Sequence, residues 1–234
     1  MNILTINDIE CIVVETAPKP SVSVIWLHGL GADGNDFVPI VPQLQSAKDT
    51  GVRFIFPNAP VRPVTLNGGM AMRAWYDILG FDIDRDQDVK GIDQSVNSIL
   101  GLVQSQFDAP EIHQVGLAGF SQGGAIALRA GLACSHPLFG IVALSTYLLQ
   151  AGTLSEWLAP AQAQCPVYLA HGIHDPIVPV GLGEQAHQRL AQAGVDVNFQ
   201  TWSMAHEVCM EEVVAIDQFI AAALTRPLAS GQET

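Results

Sequence analysis

Positive charge is what this sequence has least of. Its 234 residues include only 10 Lys and Arg against 23 Asp and Glu, a formal net charge of −13. Phosphate recognition draws most of its affinity from clustered Lys and Arg, and these ten are scattered, so nucleic acid is excluded as a partner class. The same sign of charge disfavours an anionic membrane surface. No apolar run reaches the roughly 18–20 residues needed to span a bilayer. The N-terminal stretch from Met1 to Thr16 has no basic segment ahead of its apolar residues and carries Asp8 and Glu10, so no secretory leader is expected. Cysteine is scarce too. Cys11, Cys134, Cys165 and Cys209 lie far apart and form no C-x-x-C pair, which argues against a disulfide framework or a zinc site and for reduced, packed thiols in the cytoplasm.

What is abundant is apolar side chain, 49% of the residues. A 25.0 kDa chain can bury roughly 70% of its extended surface on folding, so disorder is not expected. No repeat, low-complexity tract or interior linker divides the sequence, and residues 1–234 read as a single domain. β-branched runs at Cys11–Glu15, Ser23–Leu27, Val52–Phe56, Gln114–Leu117, Leu138–Leu144, Pro166–Ala170 and Val195–Trp202 predict strands. Several are apolar throughout, the mark of strands covered on both faces. Between them, Asp36–Gln45, Asp88–Gln106, Gln122–Ala133, Gly181–Gln192 and Glu207–Ala223 read as helices. In the second, Val89, Ile92, Val96, Ile99, Leu100 and Val103 recur every three or four residues and form one apolar stripe. Alternating strand and helix predicts a three-layer α/β fold with a mostly parallel sheet, whose active residues come from loops at the carboxyl ends of strands.

One such loop carries Gly119-Phe120-Ser121-Gln122-Gly123 between a strand and a helix. This G-x-S-x-G spacing forces a tight elbow with Ser121 at its apex, although an ordinary N-capping serine in a glycine-rich turn would share the pattern. The elbow also aims the N–H of Gln122 and a helix N-terminus at the same point. A serine hydroxyl needs a base, and the base needs an orienting acid; for this elbow the chain order is Ser, then acid, then His. His28 and His113 precede Ser121, while His136, His171 and His174 precede the best acid, and His187 falls inside a helix. His206, directly after the last strand, remains. Asp175 follows the strand Pro166–Ala170; its rivals Asp196 and Glu184 sit at the start of a strand and within a helix. His28-Gly29-Leu30-Gly31 follows Ser23–Leu27 and supplies a second oxyanion donor, the N–H of Leu30, with His28 as a structural hydrogen-bonding residue. His171 and His174 lack the partners a metal site needs. Asp82, Asp84, Asp86 and Asp88 imitate the start of a calcium loop, but Gln87 and Asp93 stand where Gly and Glu belong, and the run reads as a solvated loop ending at a helix start.

Together these residues resemble the small carboxylesterases and acyl-protein thioesterases of the α/β-hydrolase fold. The resemblance runs through Leu27–Gly34, Pro57–Pro60, Met72–Asp77, Gly119–Gly124, His171-Gly172, Asp175-Pro176 and His206, spanning about residues 22–220. It implies Ser121 as nucleophile, His206 as base, Asp175 as its partner, and the N–H groups of Leu30 and Gln122 as oxyanion hole, with no metal or cofactor and no large cap domain. It also implies an acyl groove near Leu66, Met70 and Trp75, residues that could equally pack their own loop, and a homodimer. Ala205 departs from the glycine usual before the histidine. The expected function is a carboxylesterase, with acyl-thioester or lysophospholipid hydrolysis as alternatives and a non-catalytic hydrolase-like binding protein as the reading of another class.

Overall fold

The computed structural model describes residues 1–80, 87–162 and 164–227. Asp82, Asp84 and Asp86 of the acidic run lie outside them. The strands are β1 (Asn2–Ile6), β2 (Ile9–Glu15), β3 (Val22–Leu27), β4 (Val52–Pro57), β5 (Val61–Val64), β6 (Met70–Arg73), β7 (Gln114–Phe120), β8 (Ile141–Leu144), β9 (Val167–Gly172) and β10 (Val197–Trp202). The helices are α1 (Gln45–Thr50), α2 (Val89–Phe107), α3 (Gln122–Ala133), α4 (Leu154–Trp157), α5 (Val180–Gln192) and α6 (Met210–Leu224).

Eight strands form one sheet in the order β1-β2-β4-β3-β7-β8-β9-β10. The β1–β2 and β2–β4 pairings are antiparallel, and every pairing from β4 to β10 is parallel. This is the α/β arrangement with a mostly parallel sheet that the alternation of strands and helices predicts, and the fold is that of an α/β hydrolase, as the family resemblance implies. β3 shows why the run Val24–Leu27 is apolar at every position. Ile25 and Leu27 face a core shared with α2, α3 and α5, while Val24 and Trp26 face a second core shared with α1 and α6. Burying a large apolar side chain is worth roughly 1.5–3 kcal/mol, so both faces of the strand drive the layering. α2 buries Ile92, Val96, Ile99, Leu102 and Val103 on the first core; Val89, expected on that stripe, is exposed. Asp88 caps α2, its carboxylate accepting from the Gly91 N–H at 2.9 Å.

Three expectations are corrected. Asp36–Gln45 is not one α-helix: Val38–Gln43 is a 3-10 turn and α1 follows it. Pro39 and Pro42 lack the N–H that an α-helical ladder requires. The strand expected at Leu138 begins at Ile141. β1 and the β5–β6 hairpin were not anticipated, because neither has a fully buried face to write an apolar pattern. A signal for β1 was present in Asn7-Asp8, which both adopt positive φ, as a two-residue hairpin turn demands.

Candidate active site

Ser121 follows β7 directly and has φ +54°, a left-handed conformation that costs an L-residue energy and persists only where its surroundings enforce it. Here they do. The Ser121 N–H donates to Leu144 O at 2.8 Å, and its carbonyl accepts from Thr146 Oγ1 at 2.7 Å. The elbow closes so tightly that a Cβ at Gly119 would lie 2.4 Å from Gly123 O, and one at Gly123 would lie 2.4 Å from His28 O. Small residues at both positions are therefore a packing requirement, and the G-x-S-x-G spacing has its physical cause. α3 begins at Gln122, so its N-terminal N–H groups open beside the Ser121 hydroxyl.

His206 lies in the loop between β10 and α6, and Asp175 in the loop between β9 and α5. The structure brings both to Ser121. His206 Nε2 is 2.9 Å from Ser121 Oγ, and His206 Nδ1 is 2.7 Å from Asp175 Oδ2. The other carboxylate oxygen, Oδ1, accepts from the N–H groups of Ile177 and Val178, each at 2.8 Å. These bonds fix the buried carboxylate with one oxygen facing the imidazole. The Phe120 ring packs against the His206 ring at 4.7 Å between centroids. Ala205 keeps φ out of the left-handed region, so the alanine before the histidine fits this loop without glycine's freedom.

The rival residues stand elsewhere. Asp196 pairs with Arg226 at 2.7 Å just before β10, at the opposite end of the strand from His206, and Glu184 belongs to α5. His187 stacks on Phe199, and His136 bonds Gln104 at the surface. His171 is buried, its Nε2 2.8 Å from Val178 O, and desolvation lowers its pKa. Among the described residues no group of three or more His, Cys, Asp and Glu is arranged to hold a metal ion.

His28 has the structural place expected of it. Its Nδ1 lies 2.7 Å from Gly29 O, its Nε2 accepts from the Ala59 N–H at 3.1 Å, and burial lowers its pKa, all consistent with a neutral ring. It joins the turn after β3 to the turn after β4. Leu30, in the first of these turns, and Gln122 both border the same cleft as Ser121 and His206.

That cleft encloses about 930 Å³, within the range of small-molecule sites. Leu30, Leu66, Ile78, Phe120, Ile177 and Leu182 give it apolar walls, and Tyr147 also borders it. Of the three residues expected near an acyl groove, only Leu66 borders the cleft. Met70 is exposed on β6 outside it. Trp75 is 2% exposed and does not face the cleft; its indole Nε1 donates to His28 O at 2.9 Å. Ile177 could have been inferred from its place two residues after Asp175. Ile78 and Tyr147 carry no signal in sequence, because distant loops deliver them.

Comparison with known proteins shows the family. A sequence model of the phospholipase/carboxylesterase family matches residues 8–224. Acyl-protein thioesterase 1 of Gibberella zeae is 37% identical over 219 residues, covering 89% of this chain and 93% of that protein. Acyl-protein thioesterase 1 of Neurospora crassa is 35% identical over 225 residues, covering 92% of each. The crystal structure of Zea mays acyl-protein thioesterase 2 superposes with a TM-score of 0.82 at 29% identity, covering 92% of this chain and 98% of that one. With its sheet, its elbow and these relatives, the chain belongs to the phospholipase/carboxylesterase family and is a hydrolase.

Proposed function

We propose that this hydrolase cleaves carboxylic esters, including acyl thioesters, through a Ser121–His206–Asp175 triad and an acyl-enzyme intermediate. The observation that carries the reading is the unbroken hydrogen-bond chain from Ser121 Oγ through His206 to Asp175, at 2.9 and 2.7 Å, opening into an apolar cleft. His206 Nε2 takes the Ser121 proton as Oγ attacks the acyl carbonyl carbon. The N–H groups of Leu30 and Gln122 receive the developing oxyanion. The proton then passes from His206 to the departing alkoxide or thiolate, and the acyl group remains on Ser121. Water gives one proton to His206 as its oxygen attacks the acyl carbonyl carbon; the bond to Ser121 Oγ then breaks, His206 returns that proton to Oγ, and the acid leaves. Asp175 holds His206 in the tautomer with Nδ1 protonated and stabilises the imidazolium that forms between the two transfers.

The apolar walls, Leu66 among them, support an acyl chain as the group the cleft receives, and the thioesterase names of the relatives support a thioester as one leaving-group class. A sheet that takes strands from Asn2 to Trp202 supports reading 1–234 as one domain. Four free cysteines, two of them with thiols that burial pushes up to about 12, fit a reducing, cytoplasmic setting. Ser121→Ala tests the mechanism. It is expected to lower kcat on short p-nitrophenyl esters by about 10⁴–10⁶ and to abolish labelling by a fluorophosphonate. Wild-type rates in that variant would refute it, and an unlabelled wild-type protein would instead favour a hydrolase-like binding protein.

A further inference from the structure

The two proposed oxyanion donors sit on separate turns. Leu30 follows β3 and Gln122 follows β7, and the ladder between these strands ends at the Leu27–Gly119 pair, before either donor. An oxyanion hole needs both N–H groups aimed at one point about 2.7–3.1 Å away. Among the described residues, the segment Arg73–Tyr76 hydrogen-bonds to both turns.

We propose that Arg73–Tyr76 is a brace that sets the separation of the Leu30 and Gln122 N–H groups, with the Gln122 side chain and the Trp75 indole as positioning groups. The proposal rests on the oxyanion roles given above. On one side, the Gly31 N–H donates to Arg73 O at 2.8 Å, and Trp75 Nε1 donates to His28 O at 2.9 Å. These bonds grip the β3 turn on either side of Leu30. On the other side, the Trp75 N–H donates to Gln122 Oε1 and Gln122 Nε2 donates to Tyr76 O, both at 2.8 Å. The primary amide thus acts as a two-pronged clamp, accepting from the Ala74–Trp75 peptide unit and donating to the Tyr76–Asp77 unit. A carboxylate at this position could accept but could not donate.

The brace is itself anchored. The Ala74 N–H donates to Pro60 O and Arg73 Nη1 donates to Ala59 O, each at 3.0 Å, while Ser95 Oγ donates to Trp75 O. Trp75, Tyr76, Gln122 and His28 are all buried, so water does not compete for these bonds. The arrangement accounts for Trp75 turning away from the cleft: its indole is committed to the backbone beside the oxyanion site. It also gives the Gln122 side chain a role that its position after the nucleophile does not by itself explain.

Because the oxyanion exists only along the reaction coordinate, loss of the brace should appear in kcat and not in substrate binding. Gln122→Ala keeps the backbone N–H and removes the clamp; Trp75→Phe keeps an aromatic ring but removes the indole N–H together with the volume of the second ring. Each full-length variant is compared with wild type in kcat and KM for p-nitrophenyl butyrate. Affinities are measured for a 1,1,1-trifluoroalkan-2-one and for the matching alkan-2-ol. In the ketone, Ser121 Oγ adds to the carbonyl carbon, His206 takes the serine proton, and a hemiketal oxyanion forms at the donors; the alcohol forms none. Expected is a fall in kcat of about 10–100-fold with KM within about threefold, ketone affinity falling in step with kcat, and alcohol affinity unchanged. The proposal is overturned if kcat and ketone affinity stay within about twofold of wild type, or if alcohol affinity falls as far as ketone affinity. Should Gln122→Ala fail to fold, Trp75→Phe decides alone. An active Ser121→Ala would sink the hydrolase mechanism; an unaffected brace variant beside an inactive Ser121→Ala sinks only the brace.

Discussion

Gly172 ends β9, leads into the loop that carries Asp175 and packs against the loop that carries His206. A Cβ there would lie 2.2 Å from Ala205 O and 2.5 Å from Met204 O, both backbone atoms of the His206 loop. The His174 N–H donates to Met204 O at 3.1 Å, so the Asp175 and His206 loops are laced together at this point. No rotamer can relieve a clash with backbone. Gly172→Ala should therefore separate the loops and lengthen the His206–Asp175 hydrogen bond. We expect kcat to fall by about 100-fold or more, since a displacement near 1 Å can cost that much. Steady-state kinetics beside a thermal melt would check this, and a variant with wild-type kcat would show that the two loops are not coupled at Gly172.

At the scale of the element, α6 carries a liability within its first turn. Glu212 is 0% exposed, neither of its carboxylate oxygens has a hydrogen-bond partner among the described residues, and the nearby Tyr168 hydroxyl is engaged with Gln200 at 2.9 Å. Burial pushes the Glu212 carboxyl up from 4.5 to about 8. Between those values the folded chain holds a proton that the unfolded chain has released. The stability tied to this proton is fully present below about pH 4.5, falls as pH rises, and is lost once pH passes about 8. The span corresponds to a few kcal/mol. Glu212→Gln cannot ionise, so its unfolding free energy relative to wild type should improve between pH 5 and pH 8. Urea denaturation of both proteins at the two pH values measures the difference, and parallel pH dependence would rule out Glu212 as its source.

For the whole molecule, a net charge of −13 surrounds a cleft bordered by Asp36, whose carboxyl burial raises above its ordinary pKa. Such a field lowers the local concentration of anionic ligands, and salt screens it over a Debye length of about 10 Å at 0.1 M. kcat/KM for an ester carrying a second, ionised carboxylate should rise several-fold between about 0.01 and 0.15 M salt, while a neutral ester of the same length stays nearly level. Equal salt responses from the two esters would mean that the acidic surface does not reach the cleft. Among the described residues no helix is long and apolar enough to cross a membrane.

The sequence by itself determined the α/β layering with its mostly parallel sheet and the identities of the residues that meet at Ser121. Unbroken apolar runs such as Val24–Leu27 are buried between two helical layers, and the glycines around Ser121 permit only a tight elbow. Those signals are local, written in the spacing of neighbouring residues. Local spacing also misled where Pro39 and Pro42 broke a helical pattern, and it was silent on β1, whose residues are mostly exposed. Only the tertiary structure decided that the Trp75 indole bonds the His28 carbonyl instead of lining the cleft, that Ile78 and Tyr147 border that cleft, and that Glu212 is fully buried. Each depends on contacts between segments far apart in the chain, where burial and hydrogen-bond satisfaction are settled by packing and leave no periodicity to read.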